Sequence, residues 1–322
     1  MIMMFLRLCL AILLSLSGTA AVMAQTNVAY SGSGDPVDCP VDNSGGISAI
    51  TVADGTRASR AKCVTDLDQF KIDLYKIGIC RAAPDSTNPA SDWTDKCVFI
   101  LDLTSALETE ITTTSSIDLG SYVDLSTLTE GIYTHAVLLI GNTMYSKMRK
   151  QFADTFMGKT SVGSYCYSID GATFQGAHPT RAQLATECVA SQAVMNSNGN
   201  HGYMAREQVN FNGSVSKTAG DGANVYLMAD ASTLATLSGS SSNATRLAGV
   251  IAFDTSTVIT ANTTSVNLGF QLTSQGQVQF STSSNSGGEC NATDRAAADS
   301  TSTTTCIKAM RNYGVGFRFT VQ

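Results

Sequence analysis

Three histidines, scattered carboxylates, ten tyrosines, a lone tryptophan and nine cysteines are what this chain offers for chemistry. His135 lies in an apolar run, while His178 and His201 fall in a polar stretch. There they could converge with Asp154 or Asp170 on a metal or a substrate. No spacing favours this, because the chain contains no His-x-x-x-His, Cys-x-x-Cys, Gly-x-Ser-x-Gly or His-Glu-x-x-His pattern and no phosphate-binding glycine loop. The acidic pairs Asp66/Asp68 and Asp92/Asp95 lack the Asp-x-Asp-x-Asp-Gly arrangement of a calcium loop and read as solvated charge. The expectation is therefore a non-enzyme with no catalytic residue, metal or cofactor. Trp93, Tyr165, Tyr167 and Tyr203 form the candidate ligand platform, since aromatic faces can stack on sugars. Aromatics in disulfide-closed loops more often pack over a core.

Composition narrows the partners. Charged residues make up 14% of the chain, against about 25% in an ordinary globular protein. Acidic residues outnumber basic ones by 26 to 20, and no basic run exceeds Lys147-Met148-Arg149-Lys150. Nucleic acid needs a concentrated basic surface, so it is excluded as a partner. Met1 to about Ala24 reads as a secretory signal peptide, with Arg7, the apolar stretch Leu8–Leu16 and a small-residue site at Ala21-Val22-Met23-Ala24. No membrane span is expected once it is cleaved. The expected location is secreted or at the cell surface, with the periplasm as a further option.

Eight cysteines lie beyond that leader: Cys39, Cys63, Cys80, Cys97, Cys166, Cys188, Cys290 and Cys306. An even set in an exported chain implies disulfides. Sequence neighbours are the expected pairs (39–63, 80–97, 166–188 and 290–306), each worth about 3 kcal/mol by loop closure.

The elements that would carry these residues read mainly as strands. Phe70, Ile72 and Leu74 alternate with polar residues, and the phase then shifts to Tyr75, Ile77 and Ile79, which predicts a strand with a bulge near Tyr75. Leu128-x-x-Gly131-x-Tyr133 has the pattern of a tyrosine corner, giving Gly131 and Tyr133 structural roles. The run Ala136–Ile140 that follows suits a strand buried on both faces. Met144, Met148, Phe152 and Phe156 fall at four-residue spacing and predict a short amphipathic helix. Ala182–Met195, capped by Thr180 and Gln183, predicts another. Further strands are expected over 97–103, 117–125, 209–211, 225–228, 247–253 and 258–259. The stretch 266–280 alternates around a turn at Ser274-Gln275-Gly276, and 314–322 forms a terminal strand. The resulting division is a signal peptide at 1–24, an irregular leader at 25–60 and a β-sandwich domain at 61–322 with a partly helical insertion at about 142–206.

The order of the alternating strand Phe70–Cys80, Leu128-x-x-Gly131-x-Tyr133, Val258-Ile259, then Thr263–Phe270 and a terminal strand resembles exported bacterial immunoglobulin/transthyretin-like sandwich domains. Their biochemical role is mostly unassigned. The resemblance covers about half of the chain beyond the signal peptide and implies a single sandwich spanning both ends of the chain, while the 142–206 segment and the cysteines depart from the pattern. With the cysteine pairs added, the expected fold is a disulfide-stapled antiparallel β-sandwich. The resemblance transfers no functional residue.

Three function classes follow, in order. The first is a structural or adhesive surface protein, extending to a filament subunit that polymerises with itself. The second is a module binding surface glycans or another ligand, and the third is a secreted hydrolase.

Overall fold

The computed structural model describes residues 37–47, 62–84, 93, 95–112, 116–117, 125–174, 180–207, 216–218, 224–228, 244–281, 306–313 and 316–321. The described chain is mainly β. It opens with β1 (Val37–Asp38), β2 (Lys62–Thr65), β3 (Gln69–Cys80) and β4 (Cys97–Thr112). β5 (Ser116–Ile117) and a 3-10 turn at Leu125–Thr127 precede β6 (Gly131–Gly141). Then come β7 (Thr143–Lys147), β8 (Arg149–Met157), β9 (Val162–Ser168) and β10 (Thr186–Val189). The helix α1 (Gln192–Ser197) leads to β11 (Met204–Glu207), β12 (Ser216–Thr218), β13 (Asn224–Met228) and β14 (Arg246–Ile259). β15 (Val266–Gln271), β16 (Gly276–Ser281), β17 (Cys306–Asn312) and β18 (Gly316–Val321) complete it.

Three sheets result. One runs β1-β2-β16-β17-β8-β9-β10, and a second runs β11-β7-β3-β6-β14-β13-β12, with β4 also paired to β3. A small sheet runs β18-β15-β5. Apart from the parallel pairs β1/β2 and β8/β17, the ladders are antiparallel. The two large sheets share one core. Phe70, Ile72, Leu74, Leu138 and Ile140 come from one sheet, and Phe152, Phe156, Val278, Phe280 and Ile307 from the other. Ring centroids within the Phe152, Phe156 and Phe280 trio lie 5.0 to 6.1 Å apart, the range in which aromatic pairs add to simple burial.

β3 bulges where the pattern requires it. Its registers with β4 and with β6 both shift between Leu74 and Lys76. Tyr75 is thereby turned to a second cluster with Trp93, Val137, Leu139 and Tyr226, while Ile77 rejoins the main core. β6 is buried on both faces: Ala136, Leu138 and Ile140 face the main core, and Val137 and Leu139 face that second cluster.

The helical expectation over Met144–Phe156 is replaced by strands. Met144, Ser146 and Met148 are buried in alternation with Thr143, Tyr145 and Lys147, and the chain crosses from one sheet to the other at Met148. A spacing of four residues is even, so it satisfies the two-residue strand repeat as well as it approximates a helical turn. The second expected helix shrinks to a 3-10 turn at Arg181–Gln183 and the six residues of α1. Thr186–Val189 between them is a strand, buried at every position. The segment 142–206 thus contributes strands to both large sheets. β4 runs well past residue 103, and 266–280 does not form a hairpin, because β15 and β16 belong to different sheets. The terminal strand β18 pairs with β15 of its own chain.

Three disulfides join sequence neighbours: Cys39–Cys63, Cys80–Cys97 and Cys166–Cys188. Cys80 faces Cys97 across β3/β4, and Cys166 faces Cys188 across β9/β10. Cys306 is disulfide-bonded too, and Cys290 lies outside the described residues.

Candidate functional site

The corner is a closed unit. The buried Tyr133 hydroxyl donates to the Thr129 carbonyl at 2.9 Å, and Arg81 Nη2 donates to Thr129 Oγ1 at 2.5 Å and to the Glu130 carbonyl at 3.2 Å. Gly131 takes a φ of +153°, a conformation that L-residues avoid. Tyr133→Phe removes the hydroxyl's bond to the Thr129 carbonyl together with its 3.2 Å contact to Thr129 Oγ1, and leaves that carbonyl without its hydroxyl donor. A loss of about 1 kcal/mol is expected in denaturant melts, and Gly131→Ala should lose more through backbone strain. Two variants indistinguishable from the parent would remove the corner as a source of stability.

The four platform aromatics do not share a surface. Trp93 is fully buried against Phe99 on the outer face of the β3–β6 layer, and Tyr167 is fully buried beside Val189 and Met195. Tyr165 packs on that same small cluster. Tyr203 lies elsewhere, with the ammonium groups of Lys71 and Lys147 over its ring at 5.1 and 5.7 Å.

The polar groups are likewise dispersed. His135 pairs its Nδ1 with Thr134 Oγ1 at 2.8 Å, and His178 lies outside the described residues. Asp154 is exposed, whereas Asp170 accepts from the Tyr203 amide. Asp66 accepts from the Ser274 amide, Asp68 sits among Arg149 and Lys150, and Asp95 is exposed. Asp92 lies outside the described residues. Among the described residues no group of three or more His, Cys, Asp or Glu is placed to hold a metal.

His201 packs edge-on against Tyr167, with ring centroids 5.8 Å apart and its Nε2 buried without a partner. Burial, then the charges of Arg149 and Lys147, push its pKa from 6.5 to about 4, against weaker opposition from Asp68 and Asp170. The folded ring therefore resists a proton that the unfolded chain accepts. The contribution of neutral His201 is present above pH 6.5 and is lost as pH falls towards about 4. His201→Phe keeps the ring contact without titrating, so its stability should fall less than the parent's between about pH 7 and about pH 4.5. Equal losses in the two proteins would show that His201 does not set the acid response.

One constellation has no counterpart in the sequence motifs. It lies where β11, β16 and β17 meet beside Phe174, at a junction of the two large sheets. Arg206 shares the β11 face of fully buried Met204, and its Nη1 donates to the Asn312 carbonyl at 3.2 Å. Arg311 donates from Nε and Nη2 to Gln277 Oε1 at 3.1 and 2.8 Å, with its guanidinium 4.7 Å from the Phe174 ring. Gln277 and Asn312 are themselves buried. The junction is tied by Ser146, which accepts from the Asn312 amide at 2.8 Å. The two arginines stand far apart in the chain, so no local spacing announces them. The available signal is Arg311 on the β17 face that also carries the fully buried Ile307 and Ala309.

No family model, curated protein or solved structure matches this chain.

Proposed function

We propose that the chain is an exported, non-enzymatic surface protein with an immunoglobulin/transthyretin-like core and a structural or adhesive role. One observation carries the reading: each of the three described disulfides ties a strand at the rim of a sheet to its inner neighbour. Cys39–Cys63 fixes the end of β1 to β2, Cys80–Cys97 fixes β4 to β3, and Cys166–Cys188 fixes β10 to β9. Rim strands are where sheets fray, swap and recruit foreign strands. Covalent closure there suits a chain that must hold its shape in an oxidising, unprotected setting. The Tyr133–Thr129 bond at the start of β6 supports the immunoglobulin-like part of the reading.

Filament assembly is the specific form of this role. Among the described strands, the rims carrying no described disulfide are β11 and β12 in the second large sheet and β18 and β5 in the small one, and a heterologous contact at one of them gives an open polymer. Negative-stain microscopy and sedimentation of native extracellular material test this. Filaments, or association that grows with concentration, are the expected result. A monomer at high concentration and on cells would remove the filament form, and material retained in the cytoplasm would remove the exported role.

A second reading, a ligand-binding module, is favoured by the Arg206/Arg311 junction.

A further inference from the structure

Arg206 and Arg311 bring two positive charges together, and among the described residues each rests on neutral groups alone. Arg206 has one backbone carbonyl, and Arg311 has one amide oxygen and one aromatic face. Among the described residues the ion pairs are Lys71–Glu108, Lys76–Asp102 and Asp68 with Arg149 and Lys150, and none reaches this junction. Burial pushes the Arg206 guanidinium down to about 10. Burial, then the charge of Arg206, push Arg311 well below its ordinary value. Arginine does not give up its proton in proteins, so the pair stays doubly charged, and among the described residues no carboxylate is paired with it.

We propose that this junction binds a doubly charged oxyanion, a phosphate or sulfate group, between the guanidiniums of Arg206 and Arg311. Each guanidinium presents five N–H donors in a fixed fork. The bonds to Asn312 and Gln277 occupy one nitrogen of Arg206 and two of Arg311, which leaves donors on both for an incoming oxyanion. Gln277 and Asn312 are buried and hold the forks in place, so little side-chain freedom is lost on binding. Both residues are intermediate in exposure, so part of each side chain meets solvent at the edge of the junction. Charge decides between oxyanions. A single carboxylate would neutralise half of the pair, whereas a phosphate group carries about two negative charges at neutral pH. The site is independent of the structural or adhesive role and stands if that role is lost.

The test is calorimetric titration of the intact oxidised protein with inorganic phosphate and with inorganic sulfate at low salt, where screening is weakest. Dextran sulfate and uncharged dextran are run beside them. Saturable binding of either ion, weakened about tenfold or more by Arg206→Gln and by Arg311→Gln, is expected. Arg311→Lys should also bind more weakly, because an ammonium keeps the charge and loses the fork. Dextran sulfate bound through the same two arginines would identify a sulfate ester as the source, and response to the free ions alone would identify a free ion. A thermal melt separates binding from mere structure. Arg206→Met should melt no lower than the parent without anion and should lose the anion-dependent rise. Absence of saturable binding at about 10 mM of either ion, or equal affinity in parent and variants, would overturn the proposal.

Discussion

Gly163→Ala is expected to abolish recovery of folded, oxidised protein. Gly163 lies on β9 between β8, where it is paired with Phe156, and the chain at the end of β10. A methyl group there would sit 1.9 Å from the Val189 carbonyl oxygen and 2.0 Å from its carbon. Those are backbone atoms, with no rotamer to yield. The Cys166–Cys188 bond lies close by on the same pair of strands and stops β10 from backing away. Overpacking of a rigid site costs about 1–3 kcal/mol, and a backbone collision lies at or above the top of that range. Gly199→Ala is the matched control, because nothing lies within 4 Å of its added methyl. Yield of oxidised protein and the denaturant midpoint would be compared for the two. A Gly163→Ala protein as stable as the control would mean that β10 does not lie against β9 in this register.

Glu187→Ala carries the second large expected loss. The side chain is buried on β10, and its carboxylate organises the turn between β8 and β9. Oε2 accepts from the Thr160 amide at 2.9 Å and from its hydroxyl at 2.5 Å. Oε1 accepts from the Ser161 amide at 3.0 Å and from its hydroxyl at 3.1 Å. Removing the acceptor strands the Thr160, Ser161 and Cys188 amides and the Thr160 hydroxyl, while the Ser161 hydroxyl keeps the Cys188 carbonyl at 2.6 Å. Water can serve the exposed Thr160, so at about 1–3 kcal/mol for each donor left dry a total of roughly 2–4 kcal/mol is expected. Glu187→Gln is the sharper probe. It keeps one acceptor but points an NH2 group at donors, and an intermediate loss is expected in the same melts. If the glutamine variant matched the parent, one carboxylate oxygen would have to be idle, contrary to this geometry.

The parts of the fold that could be read from the sequence are those set by local pattern. The phase shift at Tyr75 announced the bulge in β3, and the unbroken run Ala136–Ile140 announced a strand with two dry faces. Short cysteine separations announced the described bridges, because facing positions on adjacent strands are near in sequence when the connection is short. Pattern misled where two periods coincide, as at Met144, Met148, Phe152 and Phe156. It also misled at Thr186–Val189, where burial on every side erases any period. β4 was half hidden because its far portion is polar, with Glu108 ion-paired to Lys71 across the rim. The arginine junction was invisible for a different reason: its members meet only when the two sheets close, and no local rule encodes that meeting.

The placement of the disulfides has a consequence for how the chain is made. With its thiols reduced, the molecule keeps its apolar interior but its rims are held only by hydrogen bonds and packing. Such a chain is easier to pull apart from its margins. Oxidation then acts as a latch, closing β1, β4 and β10 onto their neighbours in whichever order they form. Because each of these three latches joins residues close in sequence, none has to wait for the distant end of the chain to find its place. The molecule can be secured piece by piece while the remainder is still folding.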